Sequence, residues 1–134
     1  MAAPARADAP LRPDDVARAV AAAAERLGEH VVRTPLVPCP WLAEATGADV
    51  RLKLENVQRT GSVKLRGALH ALLCLPPATR GVVCASSGNH GLGVATAARQ
   101  LGLPAEVFVP EATAAAKVAA IERAGARVQR FGAD

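Results

Sequence analysis

Two short polar segments contain the residues whose types and spacing suit chemistry. The first is residues 62–68, in which Lys64 stands at the start of an apolar stretch with helical spacing. A helix N-terminus carries partial positive charge, which disfavours a protonated amine beside it, and partial burial acts in the same direction. A neutral lysine amine is the nucleophile that forms a Schiff base. Taken alone, the segment also fits a surface lysine beside a helix cap.

The second segment, residues 85–91, leaves a predicted strand and enters a predicted helix. Its polar side chains and glycines are Ser86, Ser87, Gly88, Asn89, His90 and Gly91. Ligands of open α/β sheets bind outside the carboxyl ends of the strands, and free N–H groups at a helix N-terminus bind anions. Gly88 and Gly91 allow a close backbone approach that a side chain would block. The segment therefore predicts an anion-binding loop.

Residues 85–91 also have to be compared with three other kinds of segment: a dinucleotide-binding site, a hydrolase nucleophile and a purely structural turn. The spacing Gly88-x-x-Gly91-x-Gly93 runs opposite to G-x-G-x-x-G, so it does not indicate a dinucleotide site. Neither serine stands in a G-x-S-x-G turn, so a hydrolase nucleophile is not indicated. A purely structural Ser/Gly turn stays possible when the segment is taken alone.

The elements that must position these segments are those of an α/β domain. Periodicity, caps and breakers predict helices at residues 13–27, 41–47, 63–75, 92–101 and 113–124. Strands are predicted at residues 50–55, 82–85, 106–109 and 127–131, the first of them half-buried because apolar and charged residues alternate. Strand and helix alternate from residue 81 onwards, which implies parallel strands joined by right-handed crossovers. The last strand is expected at a sheet edge with apolar surface.

The composition of the 134-residue chain limits the classes of function. Hydrophobic residues make up 51% and aromatic residues 2%, which fits an α/β core built from small aliphatic side chains. The net charge is +4, but the basic residues are scattered among acidic ones, so no nucleic-acid partner is expected. The three cysteines form no C-x-x-C pair and indicate neither a disulfide framework nor a metal site. Without an apolar targeting or spanning segment, the chain is expected to be cytoplasmic and to have no membrane partner.

Together the two segments resemble the fold-type II pyridoxal-phosphate (PLP) enzymes, whose fold is that of the tryptophan synthase β-subunit. Within them, the resemblance is to the threonine/serine dehydratase and serine racemase branch. Thr34-Pro35-Leu36 and Lys53-Leu54-Glu55-Asn56 match the same family pattern, so that the similarity extends over residues 31–134. The ending Arg66-Gly67-Ala68 favours the dehydratases, since cysteine and threonine synthases typically carry Asp-Arg there. Val63 and Leu92 depart from the pattern, because many members have Phe and Gln.

The resemblance implies roles for the residues of both segments. Lys64 would hold PLP as a Schiff base and take the α-proton of a small amino-acid substrate. Asn89 would hydrogen-bond the PLP 3-hydroxyl, and the substrate carboxylate would bind Ser86, Ser87, Gly88, Asn89 and His90. The implied reaction converts L-threonine or L-serine to a 2-oxo acid and ammonia. Ser87 keeps amino-acid racemisation open, because serine racemases use a serine there as the base on the opposite face.

The resemblance also implies that the chain is the N-terminal fragment of a two-domain enzyme with parallel sheets and flanking helices. We expect a disordered tail at residues 1–12, part of the large PLP domain at 13–75, a crossover at 76–80 and the start of the small domain at 81–134. The family's glycine-rich phosphate loop, its pyridine-nitrogen partner and its cation site have no counterpart in this sequence. A truncated product without activity is therefore a third hypothesis. The full-length form is expected to be a homo-oligomer.

Overall fold

The computed structural model describes residues 12–133, so the predicted tail lies outside it except for Arg12. These residues form, in chain order, α1 (Pro13–Leu27), β1 (Leu36–Pro38), α2 (Pro40–Thr46), β2 (Arg51–Lys53), α3 (Lys64–Leu73), β3 (Val82–Ala85), α4 (Asn89–Gln100), β4 (Ala105–Val109), α5 (Ala115–Arg123) and β5 (Arg127–Arg130). Single turns of 3-10 helix occur at Gly28–His30 and Glu55–Val57. Within this range, every helix is too short or too polar to cross a membrane.

The second half of the chain forms the predicted parallel sheet. Its strands lie in the order β3-β4-β5, with Val82 opposite Ala105 and Glu106 opposite Arg127. Side chains of both crossover helices pack with one face of β4, and the buried core they form is Ala95, Ala98, Ala105, Val107, Val109, Ile121 and Ala126. The small alanines of α4 let the helix approach the sheet closely. As predicted, β5 is an edge strand of the described sheet, and Phe131 just beyond it is 76% exposed.

The first half contains a small two-stranded antiparallel sheet, in which Leu36 of β1 lies opposite Lys53 of β2 and α2 lies between the two strands in the chain. The prediction of a half-buried strand at residues 50–55 is wrong in length and in burial. The strand is only three residues long, all three residues are exposed, and Glu55 already belongs to a 3-10 turn. Two three-residue strands bury too little surface to shelter one face.

Helix α3 connects the two halves of the structure. Its buried face packs with α1 and α4 in a second core cluster of Leu27, Leu65, Ala68, Leu69, Val94 and Ala97. The helix begins at Lys64, and Ser62 Oγ accepts the Lys64 N–H at 3.2 Å, so the predicted cap makes its hydrogen bond. It ends at Leu73, two residues short of the predicted end. The Cys74 N–H is shared between the His70 and Ala71 carbonyls, each at 3.2 Å, and the Leu75 N–H bonds the Leu72 carbonyl, so the last turn tightens before the prolines.

Candidate active site

The loop between β3 and α4 and the first turn of α4 together contain all five predicted substrate-binding residues. The Ser86 N–H donates to the Phe108 carbonyl at 3.0 Å, which fixes the loop to the neighbouring strand. Helix α4 begins at Asn89, three residues before the predicted start. The Leu92 N–H bonds the Gly88 carbonyl at 3.2 Å and closes this extra turn. Asn89 and His90 therefore project from the first turn of a helix, where both are exposed.

The two glycines of this loop play different structural roles. A Cβ added to Gly91 would lie 2.3 Å from the Ser86 carbonyl oxygen and 3.2 Å from Val107 Cγ1. Gly91 therefore lets the start of α4 lie directly against the end of β3, as predicted for a close approach. A Cβ on Gly88 would meet no described atom within 4 Å. Gly88 leaves open space beside the loop that a ligand can fill.

The N-terminus of α4 is available to an anion. Gly88 occupies the cap position without a side-chain cap, and the first turn contains no acidic residue. The leading N–H groups of a helix have no acceptor within the helix, and the helix dipole places partial positive charge there. A carboxylate at this point would find donors and a favourable field without displacing a protein group.

Two cavities flank the loop at the carboxyl ends of the strands. One, of about 280 Å³, is lined by Ser87, Gly88, Asn89, Leu92, Ala116, Lys117, Ala120 and Ile121. The other, of about 370 Å³, is lined by Ala85, Ser86, Ser87, Phe108, Val109, Pro110 and Phe131. Lys117 is a residue that sequence reasoning did not assign. The available signal was that its helix follows the carboxyl end of β4, which places the start of that helix at the same sheet edge.

Lys64 lines neither cavity. Its side chain is exposed, so the predicted partial burial does not occur among the described residues. Its backbone is in close contact with α4, because a Cβ on Gly93 would lie 3.2 Å from both the carbonyl carbon and the carbonyl oxygen of Lys64. Asn89 stands four residues before Gly93, on the same face of α4 and one turn earlier. The crossing of α3 and α4 therefore brings Lys64 to the helix face that carries Asn89.

In the sequence, Gly93 belongs only to the pattern Gly88-x-x-Gly91-x-Gly93, which does not fit a dinucleotide site and predicts no role for it. The signal for its role was its position inside a predicted helix, where glycine is unfavourable unless packing requires it. Here the packing requirement is visible, because any side chain at Gly93 would push against the α3 backbone at Lys64. Gly93 thus sets the distance between the two predicted segments.

A polar cluster of Thr34, Lys53, Glu55 and Arg66, called the Glu55 cluster below, adjoins the first turn of α3. Arg66 holds Glu55 with two bonds, Nη2 to Oε1 at 2.7 Å and Nε to Oε2 at 3.0 Å. Thr34 Oγ1 donates to Glu55 Oε1 at 2.6 Å, and Lys53 Nζ donates to the Thr34 carbonyl at 2.6 Å. The Arg66 hydrogen bond above all, together with Thr34 and the nearby positive charges, lowers the pKa of Glu55 to about 2 against the opposing effect of burial.

The arrangement fits PLP in three respects that the structure itself shows. The exposed side chain of Lys64 stands at the start of α3. The exposed amide of Asn89 lies on α4, one turn before Gly93, where α4 meets the Lys64 backbone. An uncapped helix N-terminus with open space at Gly88 suits a substrate carboxylate. The described residues contain no group of His, Cys, Asp or Glu side chains arranged to hold a metal ion.

Comparison with known proteins gives relatives that are named as ammonia-lyases and dehydratases. The chain is 51% identical over 108 residues to an L-threo-3-hydroxyaspartate ammonia-lyase from a Pseudomonas species, which covers 79% of this chain and 34% of that protein. It is 47% identical over 112 residues to a putative threonine dehydratase of Sinorhizobium fredii, covering 82% of this chain and 34% of the relative. The chain thus spans about a third of the length of these curated relatives.

The same relationship is visible in the fold. A serine racemase structure from Dictyostelium discoideum superimposes with a TM-score of 0.80 at 33% identity, over 86% of this chain and 38% of that one. Residues 27–134 match the family model described as pyridoxal-phosphate dependent enzyme. That match takes in Lys64, the loop after β3 and the whole parallel sheet, so the chain belongs to the pyridoxal-phosphate dependent enzymes of fold type II.

Proposed function

We propose that this chain contributes Lys64 and the loop of residues 86–90 to an ammonia-lyase that converts L-threonine or L-serine to a 2-oxo acid and ammonia. The observation that carries the proposal is the contact between Gly93 and the Lys64 backbone. It places the amine-bearing turn of α3 on the α4 face that also carries Asn89. Relatives named as ammonia-lyases and dehydratases support the same reaction class.

Each residue of the site has one task in this proposal. Bound PLP supplies the electron sink that stabilises negative charge at the substrate α-carbon. Lys64 would hold the cofactor and, once the substrate amine has taken its place, its free Nζ would accept the α-proton. Asn89 would hydrogen-bond the ring hydroxyl. The free N–H groups at the start of α4 bind the substrate carboxylate, with Ser86, Ser87 and His90 around it. The half-buried serines and open Gly88 keep this carboxylate site both donor-rich and accessible.

The test of the lysine assignment is direct, because the sequence contains three lysines, Lys53, Lys64 and Lys117. The protein is loaded with PLP, reduced with borohydride and mapped by peptide mass spectrometry. The pyridoxyl group is expected on Lys64 and is expected to disappear in Lys64→Ala. A modification on Lys53 or Lys117 in the unaltered protein would contradict the proposal.

Racemisation is a second candidate because Ser87 lines both cavities, whereas Lys64 lines neither. A hydroxyl there can return a proton to the opposite face of the substrate. The test is Ser87→Ala, with D-serine and pyruvate measured together from L-serine. Loss of D-serine with pyruvate retained supports racemisation, whereas an unaltered protein that makes no D-serine leaves Ser87 with carboxylate binding alone.

Lys117 is the residue that could determine the choice between monocarboxylic and dicarboxylic amino-acid substrates. Lys117 lines the cavity that Ser87 and Asn89 also line, and its ammonium would favour a second carboxylate. The hydroxyaspartate ammonia-lyase among the relatives fits such a substrate. If hydroxyaspartate is the substrate, Lys117→Met should raise its KM and leave that of L-serine unchanged. An equal effect on both substrates would exclude this role.

The remaining proposals concern the protein as a whole. We propose that it acts in the cytoplasm as a homo-oligomer on a small amino acid, without a nucleic-acid partner. Free thiols at all three cysteines and scattered charge support this. A division into units at 13–75 and 81–134 is supported by the change from a two-stranded antiparallel sheet to a parallel sheet on either side of residues 76–80.

A further inference from the structure

The Glu55 cluster has no task in the proposed chemistry, yet it is attached to the helical turn that begins with Lys64. Arg66 stands two residues after Lys64 in that turn. The side chains of Arg66 and Glu55 are 26% and 15% exposed, so the pair is largely shielded from solvent. Two parallel bonds between a guanidinium and a carboxylate fix direction as well as distance. Such a pair restricts how the turn can rotate or shift.

The cluster connects this turn to two segments that are distant in sequence. Arg66 Nη2 also donates to the Val32 carbonyl at 3.0 Å, and Glu55 accepts from Thr34 of the same extended segment. Glu55 itself follows β2, and Lys53 of β2 returns to the Thr34 carbonyl. Thr34 is only 3% exposed, so its hydroxyl is committed to this network rather than to water. The start of α3 is therefore attached to the segment that precedes β1 and to the turn that follows β2.

The opposite side of the same turn is fixed by packing. Gly93 of α4 is in contact with the Lys64 carbonyl, and Leu65, the next residue, is fully buried. The turn thus lies between an apolar contact with α4 and a charged contact with Glu55. Only the polar contact can be removed without opening the core.

We propose that Glu55 and Arg66 are positioning residues for Lys64: their ion pair holds the first turn of α3 so that the lysine keeps its place relative to Asn89. The inference rests on the proposed role of Lys64 and deepens it. Neither residue touches the substrate in this proposal. Thr34 supports the pair by orienting the Glu55 carboxylate.

The experiment compares Glu55→Gln, Thr34→Val and Thr34→Ser in the full chain at a temperature where circular dichroism shows all of them folded. Glu106→Gln is the matched control, because Glu106 also pairs with an arginine, Arg127, at 2.7 Å and accepts from Gln129 at 2.8 Å, but on the sheet. Hydrogen exchange is measured separately for residues 64–67 and 70–73 of α3. Borohydride trapping then gives the rate at which PLP labels Lys64.

In Glu55→Gln, amide exchange in residues 64–67 should rise about tenfold while residues 70–73 stay unchanged, since one charge-assisted network is lost locally. Labelling of Lys64 should slow severalfold. Thr34→Val should give a smaller change of the same kind, Thr34→Ser should behave as the unaltered protein, and Glu106→Gln should change neither readout. Thr34→Val also keeps the test available if Glu55→Gln fails to fold.

Two results would overturn the inference. Unchanged exchange at residues 64–67 in both Glu55→Gln and Thr34→Val would show that the ion pair does not hold the turn. Faster exchange with an unchanged rate of Lys64 labelling would show a purely structural role. Labelling of a different lysine in the unaltered protein would instead overturn the proposed function and, with it, the role of the ion pair in placing a catalytic lysine. The exchange data would then report only on the turn.

Discussion

The hairpin region, residues 31–60, and the sheet region, residues 81–131, position the two halves of the site by different physical means. In the sheet region the loop after β3 stands on an apolar core in which Val107, Val109 and Ile121 are at most 1% exposed. In the hairpin region Leu36 and Trp41 are 58% and 68% exposed, and the segments are joined by the Glu55 cluster instead. The carboxylate loop thus depends on packing, whereas the lysine turn depends on the charged Glu55 cluster on one side and on packing against α4 on the other.

The largest expected effect is on the apolar side of this comparison. Ile121→Ala removes a side chain that is 1% exposed, in contact with both β4 and α4 residues of the core. The free energy of unfolding should fall by about 2–5 kcal/mol, measured by urea denaturation. Trp41→Ala, a larger truncation at an exposed hairpin-region site, should change it by less than about 0.5 kcal/mol. A comparable loss in the two variants would show that the hairpin region has a core of its own.

Acid should act mainly on the polar side. The folded pKa of Glu55 is about 2 and its ordinary value is 4.5, so its contribution is complete above pH 4.5 and is lost as the pH falls toward 2. That contribution is about 3 kcal/mol, taking 1.36 kcal/mol for each pKa unit. Urea unfolding at pH 6 and pH 3 measures the part lost over that interval, about 2 kcal/mol, because the folded carboxylate is still mostly ionised at pH 3. Glu55→Gln should lower stability at pH 6 and flatten the pH dependence.

The control for this measurement is Glu106→Gln. The pKa of Glu106 is also lowered, chiefly by the Gln129 hydrogen bond and then by Arg127. Its side chain is 25% exposed and that of its partner Arg127 is 74% exposed, so screening by solvent weakens the contribution of the pair to stability. If Glu106→Gln flattened the pH dependence as much as Glu55→Gln, the assignment of acid sensitivity to the hairpin region would be wrong.

The contact that joins the two regions can be tested with glycines. Gly93→Val inserts a branched side chain against the Lys64 carbonyl and should lower stability by about 1–3 kcal/mol through overpacking. Gly67→Ala is the matched change in α3, where a Cβ meets nothing within 4 Å, and it should raise stability by about 0.5–1 kcal/mol. Thermal unfolding of the Gly93→Val and Gly67→Ala proteins shows whether stability falls in the first and rises in the second. Equal effects would mean that the helices do not meet at Gly93.

The smallest expected effect is a change in local opening of the structure, which the rates of thiol modification by iodoacetamide measure. Cys74 is exposed and should react with iodoacetamide first. Cys39 in the hairpin region is buried, and Cys84 in β3 is half-buried with a thiol pKa raised by that burial. Because a polar region opens more readily than an apolar core, Glu55→Gln should speed the reaction of Cys39 about tenfold and leave Cys84 unchanged. A faster Cys84 would place the opening in the sheet instead.

The helices and strands of the sheet region were predictable to within three residues at each end. Strand β3 has the predicted bounds, and the parallel order of β3, β4 and β5 is the predicted one, because short links between alternating strands and helices leave few other arrangements. The hairpin region was less predictable. The alternation at residues 50–55 predicts a half-buried strand of six residues, whereas the strand ends at Lys53 and its residues are exposed. Alternation reports the two faces of a strand, but it does not say whether anything covers the apolar face.

The amino-acid sequence by itself determined which groups are available and their local setting: an amine at the start of a helix, and an uncapped glycine-rich turn after a parallel strand. These follow from neighbours along the chain, through caps, turns and periodicity. Tertiary structure alone decided that Gly93 meets the Lys64 backbone, that Arg66 reaches Glu55, and that Lys117 lines the cavity beside Ser87. Such contacts depend on how two helices cross and how the hairpin region folds back, and no local pattern specifies the distance between residues that far apart.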